Sequence, residues 1–290
     1  MMFLAAITDE FSPKLEDALD AMAAVGMTGA ELRIIDGRNI VDLSDAEVDR
    51  ARAAVEARGM QVISIASPVL KCVLPDAPEV DARFQQDIFG SSYTFADQPR
   101  LGLRAIEIAA RAGAGIVRVF SYWRTVDPAA CFDRVASALR GLADLAASRN
   151  VVIGIENEPA CNVATGEETA RLLAAVDHPY LRAIWDPANA LVAGEVPFPD
   201  GYRALPAARI VHVHAKDCTV TDHTPAWGAV GEMAVDWRGQ LAALDADGYQ
   251  AWISLETHWR GPRGDKMEAS TICGRNLDTL TAPYRRAARP

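Results

Sequence analysis

The chain has 290 residues, half of them hydrophobic and 23% charged, which is enough apolar material for one large core and unlike a disordered tail. Thirty-nine acidic against 29 basic side chains give a formal charge of −10, a balance that disfavours nucleic acid and anionic membrane as partners. Cys72, Cys131, Cys161, Cys218 and Cys273 are scattered without a CxxC pair, so isolated reduced thiols in a cytoplasmic protein are expected.

MMFLAAITDEF opens the chain without a basic region, so no secretory signal is expected, and no apolar run approaches the roughly 20 residues that span a bilayer. Phe3 to Thr8 reads as a short buried strand. Ser12 and Pro13 then offer an N-cap and a first-turn proline. Leu15, Ala18, Leu19, Met22 and Val25 recur at helical spacing until Gly26 stops them. Gly29 to Ile35 is a second strand, and Ser44 with Glu47 forms a capping box before a helix that ends near Gly59. Gln61 to Ser67 is a third.

The alternation continues with strands at Gly115–Phe120, Val151–Asn157, Leu181–Asp186, Arg209–His214 and Ala251–Thr257. Helices fall at about 100–112, 127–149, 166–176 and 237–247, with a last one after 267, and Thr165 with Glu168 repeats the capping pattern. Pro197, Pro199 and Pro206 break the connection between Asp186 and Arg209. Eight strands alternating with helices at this length predict a single-domain α/β fold over residues 1–290, the (β/α)8 TIM barrel. A doubly wound sheet would carry a glycine-rich loop after its first strand, and TDEFSP is not one. The stretches 68–99 and 215–236 read as elaborated loops at the barrel mouth.

Each of the last four strands ends in a residue able to bind a metal: Glu156 in IGIENEP, Asp186 in AIWDPAN, His214 in VHVHAKD and Glu256 in ISLETHW. In a parallel barrel these ends gather at one mouth. The donor set is hard and oxygen-rich, which suits one Mn²⁺, Mg²⁺ or Co²⁺ with open positions better than a closed zinc site. Plainer roles compete. Asp186, followed by Pro187, also suits a helix cap. Glu156 and Glu158 share a strand face, as do His212 and His214, and a lone barrel histidine is more often a core residue than a ligand. Four suitable residue types at the same end of four successive strands outweigh these.

These motifs resemble the xylose-isomerase-like TIM barrels, a family that includes sugar isomerases and epimerases. The resemblance covers nearly the whole chain, from ITDEFSP and GAELR through IEN, WDPAN, HVHAKD, VGEMAVDW and SLE. It implies a metal tetrad of Glu156, Asp186, His214 and Glu256, with Mn²⁺ as the first choice and Glu156 and Glu256 as the acid–base pair. The chemistry also follows from principle: a metal chelating a carbonyl and a hydroxyl oxygen stabilises the enediolate left by removal of the proton between them. One carboxylate takes that proton and a second returns one.

Further candidates for substrate contact are Glu31, Ser67, Lys71, Tyr122, Trp123, Arg124, His212, Lys216 and Arg260. Glu31 has an ion pair with Arg33 or Arg118 as its plainer role, and Lys216 and Arg260 a solvated surface position. Two residues depart from the family pattern. Asn189 stands where many epimerase-like members have histidine, and Glu158 where ENH is common; both join the substrate-contact candidates.

The expected activity is isomerisation or epimerisation of a sugar or keto-sugar, with a dehydratase or lyase acting on an inositol- or shikimate-like compound as the alternative. AP endonucleases share this barrel, but their multi-metal cluster needs more histidines than His178, His212, His214, His223 and His258 provide. A purely sugar-binding barrel would not need two opposed glutamates. No basic cluster or glycine-rich loop marks a phosphate site, which favours a non-phosphorylated substrate. A homodimer or homotetramer is compatible with such a barrel, and no surface patch decides it.

Overall fold

The computed structural model describes residues 1–84 and 92–285. Eight strands close into a parallel barrel: β1 (Phe3–Ile7), β2 (Gly29–Leu32), β3 (Gln61–Ala66), β4 (Ile116–Val119), β5 (Val152–Glu156), β6 (Leu181–Trp185), β7 (Ile210–Ala215) and β8 (Trp252–Leu255). Each pairs with the next, and β1 closes the ring on β8, with Ala5 opposite both Gly29 and Ser254. The strands are short, apolar and buried on both faces, as parallel strands under a helical coat must be. That coat comprises α1 (Leu15–Ala24), α2 (Asp45–Glu56), α3 (Gln98–Ala112), α4 (Phe132–Ala147), α5 (Gly166–Val176), α6 (Pro187–Ala193), α7 (Trp237–Ala246) and α8 (Lys266–Thr281), beside several single turns.

The alternation read from the sequence is therefore the architecture. The Ser44–Glu47 capping box forms, and the Thr165 hydroxyl accepts the Glu168 N–H at 3.0 Å. Differences are local. Ser12 accepts the Lys14 N–H, and α1 begins only at Leu15, so Ser12 and Pro13 lie ahead of the helix without capping it. β2 stops at Leu32, and Ile34–Ile35 turns back on Arg38–Asn39 through Asp36 and Gly37, both at positive φ. Asp127 caps a single turn at Pro128–Cys131 before α4 begins. The 215–236 connection contains a hairpin, Asp217–Thr221 with Thr224–Gly228. Within the predicted 68–99 loop, 85–91 lie outside the described residues. Among the described residues no helix is long and apolar enough to cross a membrane.

One contact ties the coat together behind the mouth. Gly166, the first residue of α5, sits against the Gly201 backbone so closely that an added Cβ would lie 2.2 Å from the Gly201 carbonyl oxygen. Its N–H donates to Glu195 at 2.7 Å. Backbone cannot swing aside as a side chain can, so Gly166→Ala is expected to lose about 1–3 kcal/mol, the usual cost of overpacking. A urea midpoint unchanged from wild type would show that the segment yields instead.

Candidate metal centre and active site

β5 ends in Glu156, β6 runs into Asp186, β7 carries His214 on its inner face and β8 runs into Glu256. All four side chains are buried, and one donor atom from each lies within 4.8 Å of the others. Asp186 serves two ends at once. Its Oδ1 accepts the Asn189 N–H at 2.8 Å and caps α6. Its Oδ2 has no hydrogen-bond partner and faces the ammonium of Lys216 at 3.0 Å. The helix-cap reading is correct, and it leaves Oδ2 placed among the tetrad donors.

His214 fixes the electrostatics. Its Nε2 lies 3.1 Å from Glu31 Oε2, while Nδ1 faces Glu156 Oε1 at 3.0 Å and Glu256 Oε2 at 3.4 Å. Ionised carboxylates accept hydrogen bonds and cannot donate them, so a bare Nδ1 lone pair would meet only lone pairs. Something positive must stand there, a proton or a metal ion. Burial pulls the His214 pKa down, but Glu31, Glu156 and Glu256 reverse this and hold it well above the ordinary imidazole value.

Among the described residues, the ion-pair network around this point contains six carboxylates (Asp9, Glu10, Glu31, Glu156, Asp186, Glu256) and four cations (Arg33, Arg118, Lys216, Lys266). With neutral histidines and all six carboxylates ionised, these carry two uncompensated negative charges, the charge one divalent ion would supply. Glu156 Oε2 is also buried without a hydrogen-bond partner. Carboxylate oxygens that are ion-paired but accept no hydrogen bond, a constrained imidazole nitrogen and the charge deficit together fit a hard divalent cation.

The cations are concentrated on Glu256. Lys216 Nζ lies 2.9 Å, Arg33 3.1 Å and Arg118 3.4 Å from its oxygens, and Arg118 reaches Glu156 at 3.3 Å. Burial would raise the Glu256 pKa, but Lys216 and His214 outweigh it and hold the carboxyl well below the usual range. For Asp186 burial wins over Lys216, and its pKa rises to about 7.

Above the tetrad opens a cavity of about 290 Å³, whose walls include Arg33, Lys71, Arg118, Phe120, Glu158, Asn189, Lys216, Trp227, Glu256 and His258. Of the sequence candidates, Lys71, Glu158, Asn189 and Lys216 thus reach the cavity. Lys216 is only 2% exposed, which overturns the solvated surface position considered for it. Others do not line it. Glu31 and His212 lie fully buried among the strands, with Glu31 paired to the two histidines and not to an arginine. The Ser67 hydroxyl is turned into the wall, donating to the Arg118 carbonyl. Tyr122 is buried, Trp123 packs about 5.6 Å from the Lys71 ammonium, and Arg124 turns to Glu168 in a separate cleft. Arg260 is exposed outside the cavity wall.

Sequence reasoning passed over Arg33, Phe120, Trp227 and His258 as site residues. His258 stacks on Trp227 with centroids 4.6 Å apart, and Phe120 carries both the Lys71 ammonium and the Arg118 guanidinium at 4.6 and 4.7 Å from its centre. The available signal was parity: Arg118 and Phe120 share a face of a strand otherwise apolar, and Glu256 and His258 alternate likewise.

The closed parallel barrel is a (β/α)8 fold, with a buried carboxylate–histidine tetrad at its C-terminal mouth that could hold a metal ion. A family model described as xylose isomerase-like TIM barrel matches residues 95–277, more than half the chain, and the protein belongs to that family. Comparison with curated protein sequences gives no significant match. Solved structures with this fold include a xylose isomerase-like TIM barrel/4-hydroxyphenylpyruvate dioxygenase fusion protein (22% identity, TM-score 0.75), of which 98% of this chain covers 43%. This chain is therefore similar to less than half of that protein. D-psicose 3-epimerase in the presence of D-fructose aligns over 97% of this chain and 98% of its own (17% identity, TM-score 0.70). The probable 3-DHS dehydratase AsbF of Bacillus anthracis aligns over 96% and 98% (17% identity, TM-score 0.69).

Because a divalent ion must displace the His214 proton, apparent metal affinity is expected to rise with pH by about tenfold per unit for each proton released. The count is one above pH 7 and approaches two below it, where Asp186, with its pKa raised to about 7, is protonated as well. Calorimetry of Mn²⁺ binding in buffers of different ionisation heat counts the protons; a pH-independent affinity would contradict the arrangement.

Proposed function

We propose that the protein is a divalent-metal-dependent isomerase or epimerase of a sugar or keto-sugar, working by proton transfer between Glu156 and Glu256. The observation that carries this reading is their placement: two buried glutamates from strands three places apart in the ring, with donor atoms within 4.8 Å of each other and of His214 and Asp186, and with Glu256 in the wall of one small cavity. A Mn²⁺ or Mg²⁺ ion held by the tetrad would polarise the carbonyl of a bound hydroxycarbonyl compound.

The side chains supply the rest. One glutamate accepts the proton from the carbon next to the carbonyl, and the other delivers a proton to the opposite face or the neighbouring carbon. The accepting glutamate starts ionised and the delivering one starts protonated, so the proton taken from one position is replaced by the one given at the other. Arg118, within 3.4 Å of both, stabilises whichever of the two carries the negative charge at each stage. Asn189 Nδ2, 3.3 Å from Glu156 Oε1 and 2.8 Å from the Asn157 carbonyl, holds Glu156 in place. Phe120 and Trp227 give the cavity apolar faces for the carbon skeleton, and Lys71 and Glu158 give it polar ones. Its volume of about 290 Å³ suits one small molecule better than a polymer. A 3-epimerase among proteins of this fold supports the reading, and a dehydratase among them keeps lyase chemistry as the second one. The two share the first proton transfer and diverge in whether a β-leaving group departs.

Glu156→Gln and Glu256→Gln are each expected to lower kcat by about 10²- to 10⁴-fold while the protein stays folded. The assay is a screen of ketoses, keto-inositols and related acids in D₂O with added Mn²⁺. Deuterium entering at a carbon beside the carbonyl supports the proposal, and the product distinguishes epimer from dehydrated compound. Full activity in either variant would remove that glutamate from the acid–base pair.

A further inference from the structure

Glu31 is fully buried, away from the cavity, yet four donors from three strands converge on it. Its Oε1 accepts the Ser64 hydroxyl at 2.9 Å. Its Oε2 accepts the Ser254 hydroxyl at 3.0 Å and meets the Nε2 atoms of both His212 and His214 at 3.1 Å. Such a carboxylate is a pure acceptor, so each imidazole must present Nε2–H to it. A neutral imidazole has one N–H, and placing it on Nε2 leaves Nδ1 as the lone pair. For His214 that lone pair is the atom between Glu156 and Glu256.

We infer that Glu31 is a positioning residue for the metal centre: it locks His214 in the Nε2–H tautomer, sets the ring's orientation and makes Nδ1 a better donor to a divalent ion. Carboxylate–histidine–metal arrangements of this kind raise ligand basicity and fix the ring. The inference rests on the tetrad holding such an ion. The rival use of the same atoms is a second cation site formed by Glu31, His212 and His214, whose donor atoms also lie close enough together. The hydrogen bonding disfavours it. Both histidines turn Nε2 toward one oxygen that a serine hydroxyl also donates to, and a cation there would have to strip the Nε2 proton from each imidazole and break all three hydrogen bonds.

The test is a Mn²⁺ titration by calorimetry of the wild-type protein, Glu31→Gln and His212→Asn, with the metal-free Tm of each measured alongside. Glu31→Gln is expected to weaken Mn²⁺ by about 10- to 100-fold at a stoichiometry of one, and His212→Asn by less than about threefold, since it disturbs the same layer but leaves the Glu31–His214 bond. A purely structural Glu31 would lower Tm and leave the Mn²⁺ affinity of Glu31→Gln at the wild-type value, and that result overturns the inference. Two ions in the wild type with one lost in His212→Asn would overturn it in favour of the second site. Wild-type protein that binds no Mn²⁺ would instead defeat the tetrad itself, and this inference with it. Should Glu31→Gln not fold, nitrogen-15 spectra of the Mg²⁺-loaded wild type decide: a proton on His214 Nε2 is expected, and one on Nδ1 refutes the assignment.

Discussion

Carboxylates crowded at low dielectric cannot all keep their charge unless cations are built in among them, and this barrel buries six in one network. Much of the mouth answers that constraint. Lys216 is drawn out of solvent to bridge Asp186 and Glu256, and Arg33 is buried where it can serve Asp9, Glu10 and Glu256 together. Arg118 spans the two glutamates. What these cations leave uncompensated defines where the remaining positive charge must sit, beside His214. The same charges that make the site costly to bury are ones that a small, doubly charged ion would complement.

The barrel was legible because its physics is local: apolar runs of strand length, capped helices and the absence of a phosphate loop each leave marks within a few residues of one another. The tetrad was legible for a related reason, since parallel strands in sequence order put their C-terminal residues in one place whatever the loops do. What escaped was which way a side chain turns once it arrives. Lys216 and Arg260 each follow a proposed ligand by a few residues, yet one is buried against Asp186 and Glu256 and the other exposed. Glu31 carried a correct signal of importance and the wrong partner, because its histidines lie on β7, some 180 residues away. Ser12 and Pro13 look like a helix start in isolation, and tertiary packing delays the helix to Leu15.

Asp186 illustrates how little room such a site leaves for independent parts. A cap satisfies the amide at the start of α6 with one oxygen and frees the other for the tetrad. Asn157 accepts the Asp186 N–H through its side-chain oxygen and donates to the Asp186 carbonyl, both at 2.8 Å. Asn189, in the first turn of α6, reaches back to Glu156 and to the Asn157 carbonyl. The ends of β5 and β6 are thus cross-linked by amides, and the two carboxylates they carry are held as one unit.

The division of labour around the ring has a consequence for how such proteins diverge. All four tetrad residues come from the ends of β5 to β8, inside the segment that matches the family. Asp9, Glu10, Glu31, Arg33 and Ser64, which orient and balance them, come from the first three strand–loop units, outside it. Substitutions in this first third therefore change the hydrogen bonding and charge around the tetrad while all four of its residues stay unchanged. Two relatives with identical tetrad motifs are free to differ in the electrostatics of the mouth, and an inventory of the four residues alone would not tell them apart.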